Sequence, residues 1–232
     1  MPKHIGIVAV TAEGAALCYQ TICAEGPSVL GAEAHPEVTL HAFSLRDYLP
    51  LAKAGDWERL GSLLLESAAK LKKGGADFLI CPANTAHMAI DLIRDRSPLP
   101  WLHIAEAVAA DAERRGLKRL LLLGTRSLME GPVYPPHLSR QGIAHEIPGP
   151  DDRARMNDII FHELIFARFT DESRRYTQRL IRDFGAHGGD GVILGCTELP
   201  LLLADADSPL PVLDSTRVLA RAAIREAARE SR

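Results

Sequence analysis

The sequence contains an internal repeat at an offset of about 113 residues. A Gly-Gly pair and an aspartate precede two similar apolar runs, and aligning Asp77 with Asp190 gives 190 − 77 = 113. Ser97-Pro98-Leu99-Pro100 recurs as Ser208-Pro209-Leu210-Pro211 at 208 − 97 = 111, and the apolar run from Lys3 recurs from Lys118 at 118 − 3 = 115. The simplest interpretation is two copies of one folding unit.

Short apolar runs alternate with longer segments of helical periodicity. Residues 56–73 show this spacing through Trp57, Leu60, Leu64 and Leu71. Strands separated by helices predict parallel sheets covered by helices on both faces. The predicted strands are residues 5–10, 38–43, 77–81, 101–104, 119–123, 191–194 and 211–213. The segment 131–136, which contains three prolines, is predicted to be a turn or loop because proline removes a backbone donor.

The repeat predicts two similar α/β domains, 1–105 and 106–210, related by a pseudo-two-fold axis. The C-terminal segment 211–232, with a final helix from Asp214 to Arg229, is expected to pack back on the first domain. The ends of corresponding strands would meet at the interface of such units, where pockets tend to form. We therefore expect the active site in the cleft between the two domains.

Composition excludes several classes of protein. With 27 Lys and Arg against 30 Asp and Glu, the net charge of −3 predicts no binding to nucleic acid or anionic membranes. The four cysteines form no Cys-x-x-Cys pair, which argues against a disulfide framework and a zinc site. The first apolar run is too short to span a membrane and has no convincing cleavage site. The expected location is the reducing cytoplasm.

Cys196 is the strongest candidate for a catalytic residue. It follows the apolar run 191–194 within Gly195-Cys196-Thr197-Glu198, where a strand is expected to give way to a helix. A thiol at the positive end of a helix dipole is expected to have a lowered pKa and a larger thiolate fraction. The alternative is a buried cysteine that acts as a small hydrophobic residue.

The repeat places Ala83 opposite Cys196, since 196 − 83 = 113. The surrounding turn reads Cys81-Pro82-Ala83-Asn84-Thr85-Ala86-His87. Asn84 and Thr85, with free backbone N–H groups, are candidates to hold a ligand carboxylate, and capping the following helix is the alternative for Thr85. His87 favours a structural, hydrogen-bonded role.

Several motifs together resemble those of the aspartate/glutamate racemase superfamily over essentially the whole chain. They are Asn84-Thr85-Ala86-His87, Gly124-Thr125 with Tyr134, Glu163-Leu164 and Gly195-Cys196-Thr197-Glu198. The glutamic acid at position 198 resembles the aspartate racemase branch. The resemblance implies two similar α/β domains and a cofactor-independent reaction at the substrate Cα. It also implies one thiol on each side of that carbon, one removing the proton and the other returning it from the opposite face.

The sequence departs from this pattern where the first thiol is expected, because Ala83 precedes the Asn-Thr pair. Cys81 is the nearest substitute, since residues i and i+2 of a strand point to the same face. It would lie about 6 to 7 Å further back along the strand, beyond the reach of direct proton transfer. Cys81 is therefore either a catalytic substitute or a core residue. The glycine-rich turn expected after the first strand is also replaced, by residues 9–14.

The expected substrate is a small carboxylate or amino acid. Thr125 and Thr197 join Asn84 and Thr85 as polar residues suited to binding carboxylates. Arg46 is a candidate for a side-chain carboxylate, with a surface ion pair to Asp47 as the alternative, and Arg168 is a weaker candidate of the same kind.

These observations predict a racemase-type isomerase of a small acidic amino acid, with Cys196 as acid and base and Glu198 tuning the thiol or relaying protons. No cofactor or metal is expected, because the sequence has no Gly-x-Gly-x-x-Gly turn, phosphate loop or metal-ligand spacing. One alternative is a one-thiol lyase or isomerase of a dicarboxylate, and another is a carboxylate-binding relative that does not racemise. The resemblance makes a homodimer plausible.

Overall fold

A computed structural model describes residues 2–229 of the chain. The chain divides into two compact units, one comprising residues 1–107 and 216–232 and the other residues 108–215. One boundary between the units falls inside a helix, between residues 107 and 108, and the other falls at the start of the last helix. The predicted boundaries were at 105/106 and 210/211.

The first unit begins with a strand and alternates strands with helices. Its elements in chain order are β1 (Ile5–Ala9), α1 (Ala12–Glu25), α2 (Pro27–Leu30), β2 (Val38–Ala42), α3 (Leu45–Ala54), α4 (Trp57–Lys73), β3 (Phe78–Ile80), α5 (His87–Ile93) and β4 (Trp101–Leu102). Helix α6 (Ile104–Arg114) leads into the second unit, and α12 (Ser215–Ala227) returns to the first.

The second unit repeats this pattern. Its elements are β5 (Arg119–Leu123), α7 (Arg126–Met129), α8 (Pro135–Arg140), β6 (Ala144–Glu146), α9 (Pro150–His162), α10 (Asp171–Ala186), β7 (Gly191–Leu194), α11 (Leu199–Leu202) and β8 (Val212–Asp214). Short 3-10 turns cover residues 84–86, 94–96, 164–166 and 205–207.

Each unit contains a four-stranded sheet, and the two sheets have the same topology. The strand orders are β2-β1-β3-β4 and β6-β5-β7-β8, and all neighbouring strands are parallel. In both, the first strand of the unit lies between the second and the third. The predicted fold class of two similar parallel-sheet α/β domains is thus confirmed.

The repeated residues perform the same structural tasks in both units. Asp77 accepts a hydrogen bond from the backbone N–H of His4, and Asp190 accepts from those of Lys118 and Arg119. The Ser-Pro-Leu-Pro segments form equivalent turns, in which the hydroxyls of Ser97 and Ser208 each donate to the carbonyl two residues later at 2.7 Å. These hydrogen bonds fix the chain at the start of β1 and β5 and in the turns before β4 and β8.

The core of the first unit lies between its sheet and helices α3, α4 and α5. Helix α4 buries Leu60, Leu64, Ala68 and Leu71, which recur at intervals of three and four residues and lie on one face. The carboxylate of Asp56 caps its first turn by accepting from the N–H of Arg59 at 3.1 Å.

The structure corrects the predicted elements in three places. Strand β6 was missed because its sequence, Ala-His-Glu, lies at the sheet edge with two of three residues exposed and carries no apolar run. The predicted loop 131–136 is too long, because Pro135 and Pro136 form the first turn of α8, where the missing N–H groups have no helical partner. The final helix begins at Ser215 and ends at Ala227.

Helix α12 packs on the first unit, to which it mostly belongs. Arg221 forms a two-pronged ion pair with Glu25 of α1 at 2.7 and 2.9 Å, and Lys3 pairs with Glu226 at 2.7 Å. The backbone N–H of Lys3 also donates to the carbonyl of Ala227. None of the helices within residues 2–229 has both the length and the apolar character needed to cross a membrane.

A polar chain in the first unit links β2 to α4 and α3. The ammonium of Lys70 lies 3.2 Å from Nε2 of His41, and Nδ1 of His41 lies 3.0 Å from the hydroxyl of Ser67, which is 3.5 Å from that of Tyr48. Lys70 also lies over the ring of Phe43 at 4.1 Å. Because the lysine can only donate, His41 accepts at Nε2 and is neutral.

We predict that this chain makes stability depend on pH through His41. Burial, and after it the charge of Lys70, lower the pKa of His41 below its ordinary value. The unfolded chain therefore binds the proton more readily, and the free energy of unfolding falls as pH drops below about 6.5. His41→Gln should reduce that fall between pH 7.5 and pH 5 in urea unfolding experiments. His162→Gln, at a largely exposed position on α9, is the control and should follow the wild type.

Candidate active site

Strand β7 ends at a turn that places Cys196 at the carboxyl edge of the second sheet. All four residues of β7 are buried, and the backbone N–H of Gly195 continues the ladder by donating to the carbonyl of Leu123 at 2.8 Å. A Cβ at Gly195 would lie 2.4 Å from Cδ2 of Leu128 and 3.1 Å from the carbonyl oxygen of Leu123, so a larger residue here would displace the buried Leu128 side chain.

Cys196 and Glu198 form a hydrogen-bonded pair within this turn. The thiol of Cys196 donates to Oε2 of Glu198 at 2.8 Å. Cys196 is partly exposed, whereas Glu198 is buried, with 8% of its surface exposed. The carboxylate is thus shielded from solution, and Cys196 is only partly so.

The predicted lowering of the Cys196 pKa is wrong, because burial raises it well above the ordinary value for a thiol. The charge of Glu198 and its hydrogen bond to the thiol raise the pKa further, since both favour the protonated form. The backbone N–H groups of Glu198 and Thr197 act in the opposite direction and are outweighed. The expected helix does not begin at Cys196: α11 starts three residues later and has four residues, too few for a strong dipole.

This arrangement suits a thiol that acts first as an acid. The raised pKa keeps the proton on Cys196 at neutral pH, where the thiol is hydrogen-bonded to the carboxylate of Glu198. Cys196 and Glu198 therefore form a hydrogen-bonded thiol–carboxylate pair within one turn.

The corresponding turn of the first unit lies after β3. Ala83 is partly exposed, and Asn84 begins a 3-10 turn and is buried. Thr85 is partly exposed and caps neither this turn nor α5, because no side-chain cap is formed at either start. The capping alternative for Thr85 is thus wrong, and its hydroxyl makes no hydrogen bond to any other described residue.

Cys81 lies in the core of the first unit. It is fully buried within the apolar cluster that also contains Val8, Tyr48 and Leu79. Burial raises the pKa of its thiol to about 12. These observations favour the core role over the catalytic one, because a buried thiol has neither access to substrate nor an accessible thiolate.

His87 is fully buried beside Cys81 and stabilises the same turn. Its Nε2 donates to the carbonyl of Cys81 at 3.0 Å, and its ring packs edge-on against His103 with centroids 4.2 Å apart. The structural role inferred for His87 agrees with this geometry.

The other candidate residues differ in how available their side chains are. Thr125 caps α7 by accepting from the N–H of Leu128 at 3.4 Å, whereas Thr197 is buried next to Cys196. Arg46 is exposed in the first turn of α3, and it forms no ion pair with Asp47 or with any other residue in the described range. Arg168 is also exposed, following the 3-10 turn at residues 164–166.

The sequence reasoning missed a buried contact below the Cys196 turn. The hydroxyl of Ser215 donates to the carbonyl of Leu194, the last residue of β7, at 2.9 Å. The phenol of Tyr134 in turn hydrogen-bonds to Ser215. Tyr134 is part of the family resemblance and lies in the proline-rich segment 131–136, but nothing in the sequence marks Ser215 as its partner.

A family model described as Asp/Glu/Hydantoin racemase matches residues 7–223, from within β1 to within α12, a range that includes the Cys196 turn. The chain belongs to this family.

Solved structures of high similarity support the assignment along almost the whole chain. A crystal structure from Yersinia pestis, of a protein proposed to be an Asp/Glu racemase, has a TM-score of 0.90 and 33% identity, covering 98% of this chain and 100% of that one. An aspartate racemase homologue from Pyrococcus horikoshii OT3 has a TM-score of 0.86 and 29% identity, covering 99% and 100%.

Two curated relatives are named as racemases. The chain is 25% identical over 169 residues to the broad specificity amino-acid racemase RacX of Bacillus subtilis, covering 73% of each chain. It is 31% identical over 176 residues to a glutamate racemase of Pseudomonas aeruginosa, covering 71% of this chain. The aligned region is 60% of the length of that glutamate racemase.

Replacing the carboxylate of Glu198 should lower the pKa of Cys196. In Glu198→Gln the negative charge and the strong acceptor are removed, while the side chain keeps its size. We expect alkylation of Cys196 by iodoacetamide at pH 7.5 to become at least severalfold faster, with its pH midpoint shifted down. Peptide mass spectrometry measures each cysteine separately, and Cys23, on α1, is the internal control. An unchanged Cys196 profile would mean that Glu198 does not hold the thiol protonated.

Proposed function

We propose that the protein is a cofactor-independent isomerase of the amino-acid racemase type that acts at the Cα of a small acidic amino acid. The observation that carries this proposal is the hydrogen bond from the Cys196 thiol to the buried carboxylate of Glu198. Membership of the family and the names of the curated relatives support the same class of reaction.

In the proposed mechanism, Cys196 exchanges one proton with Cα and Glu198 exchanges one with Cys196. In the deprotonating direction the thiol proton passes to Oε2 of Glu198, and the thiolate then removes the proton from Cα. In the protonating direction the thiol donates to the Cα carbanion, and the carboxyl group of Glu198 returns a proton to the sulfur. These transfers balance on the Cys196 face of Cα without a cofactor.

Carboxylate binding is assigned to polar groups in the two strand-end turns. Thr197 lies next to the reactive thiol, and Asn84 and Thr85 occupy the matching turn of the first unit. The unused hydroxyl of Thr85 is suited to donate to a carboxylate oxygen. We assign Arg46, exposed and without an ion pair among the described residues, to the second carboxylate of an acidic substrate.

Racemisation needs proton transfer on both faces of Cα, and Ala83 lies where the second thiol is expected. A methyl group cannot transfer a proton, and the burial of Cys81 argues against its use. We propose that water held by Thr85 replaces the missing thiol at a reduced rate. The water donates a proton to the carbanion from the second face, and the hydroxide left behind is neutralised by the proton that the carboxyl group of Glu198 releases to solvent.

The alanine at position 83 also favours a second candidate function, a one-thiol lyase or isomerase of a dicarboxylate. A neutral thiol that protonates a carbanion from one face suffices for a reaction such as decarboxylation followed by protonation. Ala83 and the raised pKa of Cys196 both suit that role. The stereochemical course of exchange separates the two candidates.

Incubation with L-aspartate or L-glutamate in D₂O tests the first candidate. We expect loss of the Cα proton signal in NMR together with appearance of the D enantiomer on chiral chromatography. Cys196→Ser should reduce both rates by about 10²- to 10⁴-fold, because a hydroxyl is a much weaker acid and its alkoxide is not accessible. Cys23→Ser is the matched control and should leave them unchanged. Exchange with retention, or release of CO₂ from a dicarboxylate without racemisation, would support the one-thiol candidate.

Restoring a thiol at position 83 should raise racemisation. Ala83 is partly exposed and packs against the edge of the core, so Ala83→Cys adds one sulfur at the strand end. We expect the racemisation rate to rise about tenfold or more, since a positioned acid or base contributes about 10²- to 10⁴-fold. Ala83→Ser is the control, because it has a similar size without an acidic thiol. An equal effect of Ser and Cys would show that proton transfer at this position is not what limits the rate.

A further inference from the structure

Tyr134 is a fully buried phenol in the second unit, at the residue before α8. Burial raises the pKa of Tyr134 far above its ordinary value. Burial of a phenol hydroxyl is costly unless the group is hydrogen-bonded. The sequence places this hydroxyl where Ser215 satisfies it, although Phe would fill the same volume without needing a partner.

The direction of the hydrogen bonds follows from the chemistry of the three groups. The carbonyl of Leu194 can only accept, so the hydroxyl of Ser215 donates to it, at 2.9 Å. The Ser215 oxygen then accepts from the phenol of Tyr134. The result is a directed bridge from Tyr134 through Ser215 to the last residue of β7.

This bridge reaches the backbone two residues before the reactive thiol. On the other side, the N–H of Gly195 donates to the carbonyl of Leu123, and the side chain of Leu128 packs where a Cβ of Gly195 would lie. The peptide that leads into the Cys196 turn is thus fixed by the ladder, by packing and by the hydroxyl bridge.

We propose that Tyr134 is a positioning residue for Cys196: through Ser215 it fixes the end of β7, and so keeps the thiol within hydrogen-bond reach of Glu198. This inference rests on the proposed function for its kinetic consequences, whereas its consequence for the thiol is independent of any substrate. In this proposal both residues act through the carbonyl of Leu194.

Tyr134→Phe removes the phenol hydroxyl and retains the ring. Loss of one hydrogen bond of this kind changes an equilibrium by about three- to tenfold. We expect kcat to fall by about that factor with KM unchanged. We also expect alkylation of Cys196 at pH 7.5 to become about threefold faster, because a less well-held thiol loses part of its contact with Glu198. Ser215→Ala should reproduce both changes, and the double variant should add nothing to either single one.

Tyr176→Phe is the matched control. The hydroxyl of Tyr176 donates to Asp152 at 2.5 Å in the same unit, within a contact between α10 and α9. Its loss should lower the melting temperature without changing the Cys196 alkylation profile. Cys23 should be alkylated equally in all variants.

The outcomes separate the inference from the proposed function. If wild type turns over no amino acid but Cys196 becomes more reactive in Tyr134→Phe and Ser215→Ala, the proposed function fails and the positioning role stands. If both variants keep the wild-type alkylation profile and kcat, whatever their melting temperatures, Tyr134 is only a structural residue and the inference is overturned. Should Tyr134→Phe not fold, Ser215→Ala alone decides between these results.

Discussion

The parallel pairing of the first strand with the third in each unit is the constraint on which the rest of the structure depends. Strands β1 and β3 pair in register, as do β5 and β7, so the third strand lies inside each sheet. The turn that follows an inner parallel strand emerges at the carboxyl edge, flanked by neighbouring strand ends on both sides. In one unit this turn carries Ala83 and Asn84, and in the other Cys196 and Glu198.

Much of this fold was predictable because the repeat indicates that two distant parts of the sequence form the same folding unit. Aspartates at 77 and 190 and serines at 97 and 208 recur because each copy needs the same backbone ties, and the ties are present in both units. Strand β6 was not predictable, since an exposed three-residue edge strand has no apolar pattern and is specified by pairing with β5. The local sequence pattern predicts which segments are buried, whereas an exposed edge strand is specified by its pairing with a neighbouring strand.

The position of the candidate thiol was predictable, whereas its chemistry was not. A cysteine after a buried run indicates a strand end, but whether its pKa rises or falls depends on the side chain it meets. Here the chain turns so that Glu198, two residues later, accepts from Cys196. The later start of α11 removes the expected dipole, and burial together with the charge of Glu198 raises the pKa of Cys196. The same is true of Cys81. The alternation of side chains along a strand does not predict whether its thiol is buried or accessible.

The two strand-end turns also differ in how their surroundings are packed. Ala83 is partly exposed and packs against the edge of the core, whereas Cys81, two residues earlier, is fully buried within it. In the second unit, Gly195, Leu194 and Ser215 are held by packing and buried hydrogen bonds, and Cys196 lies just beyond them. The support beneath Cys196 is part of the core, which links the reactivity of this thiol to the integrity of its own unit.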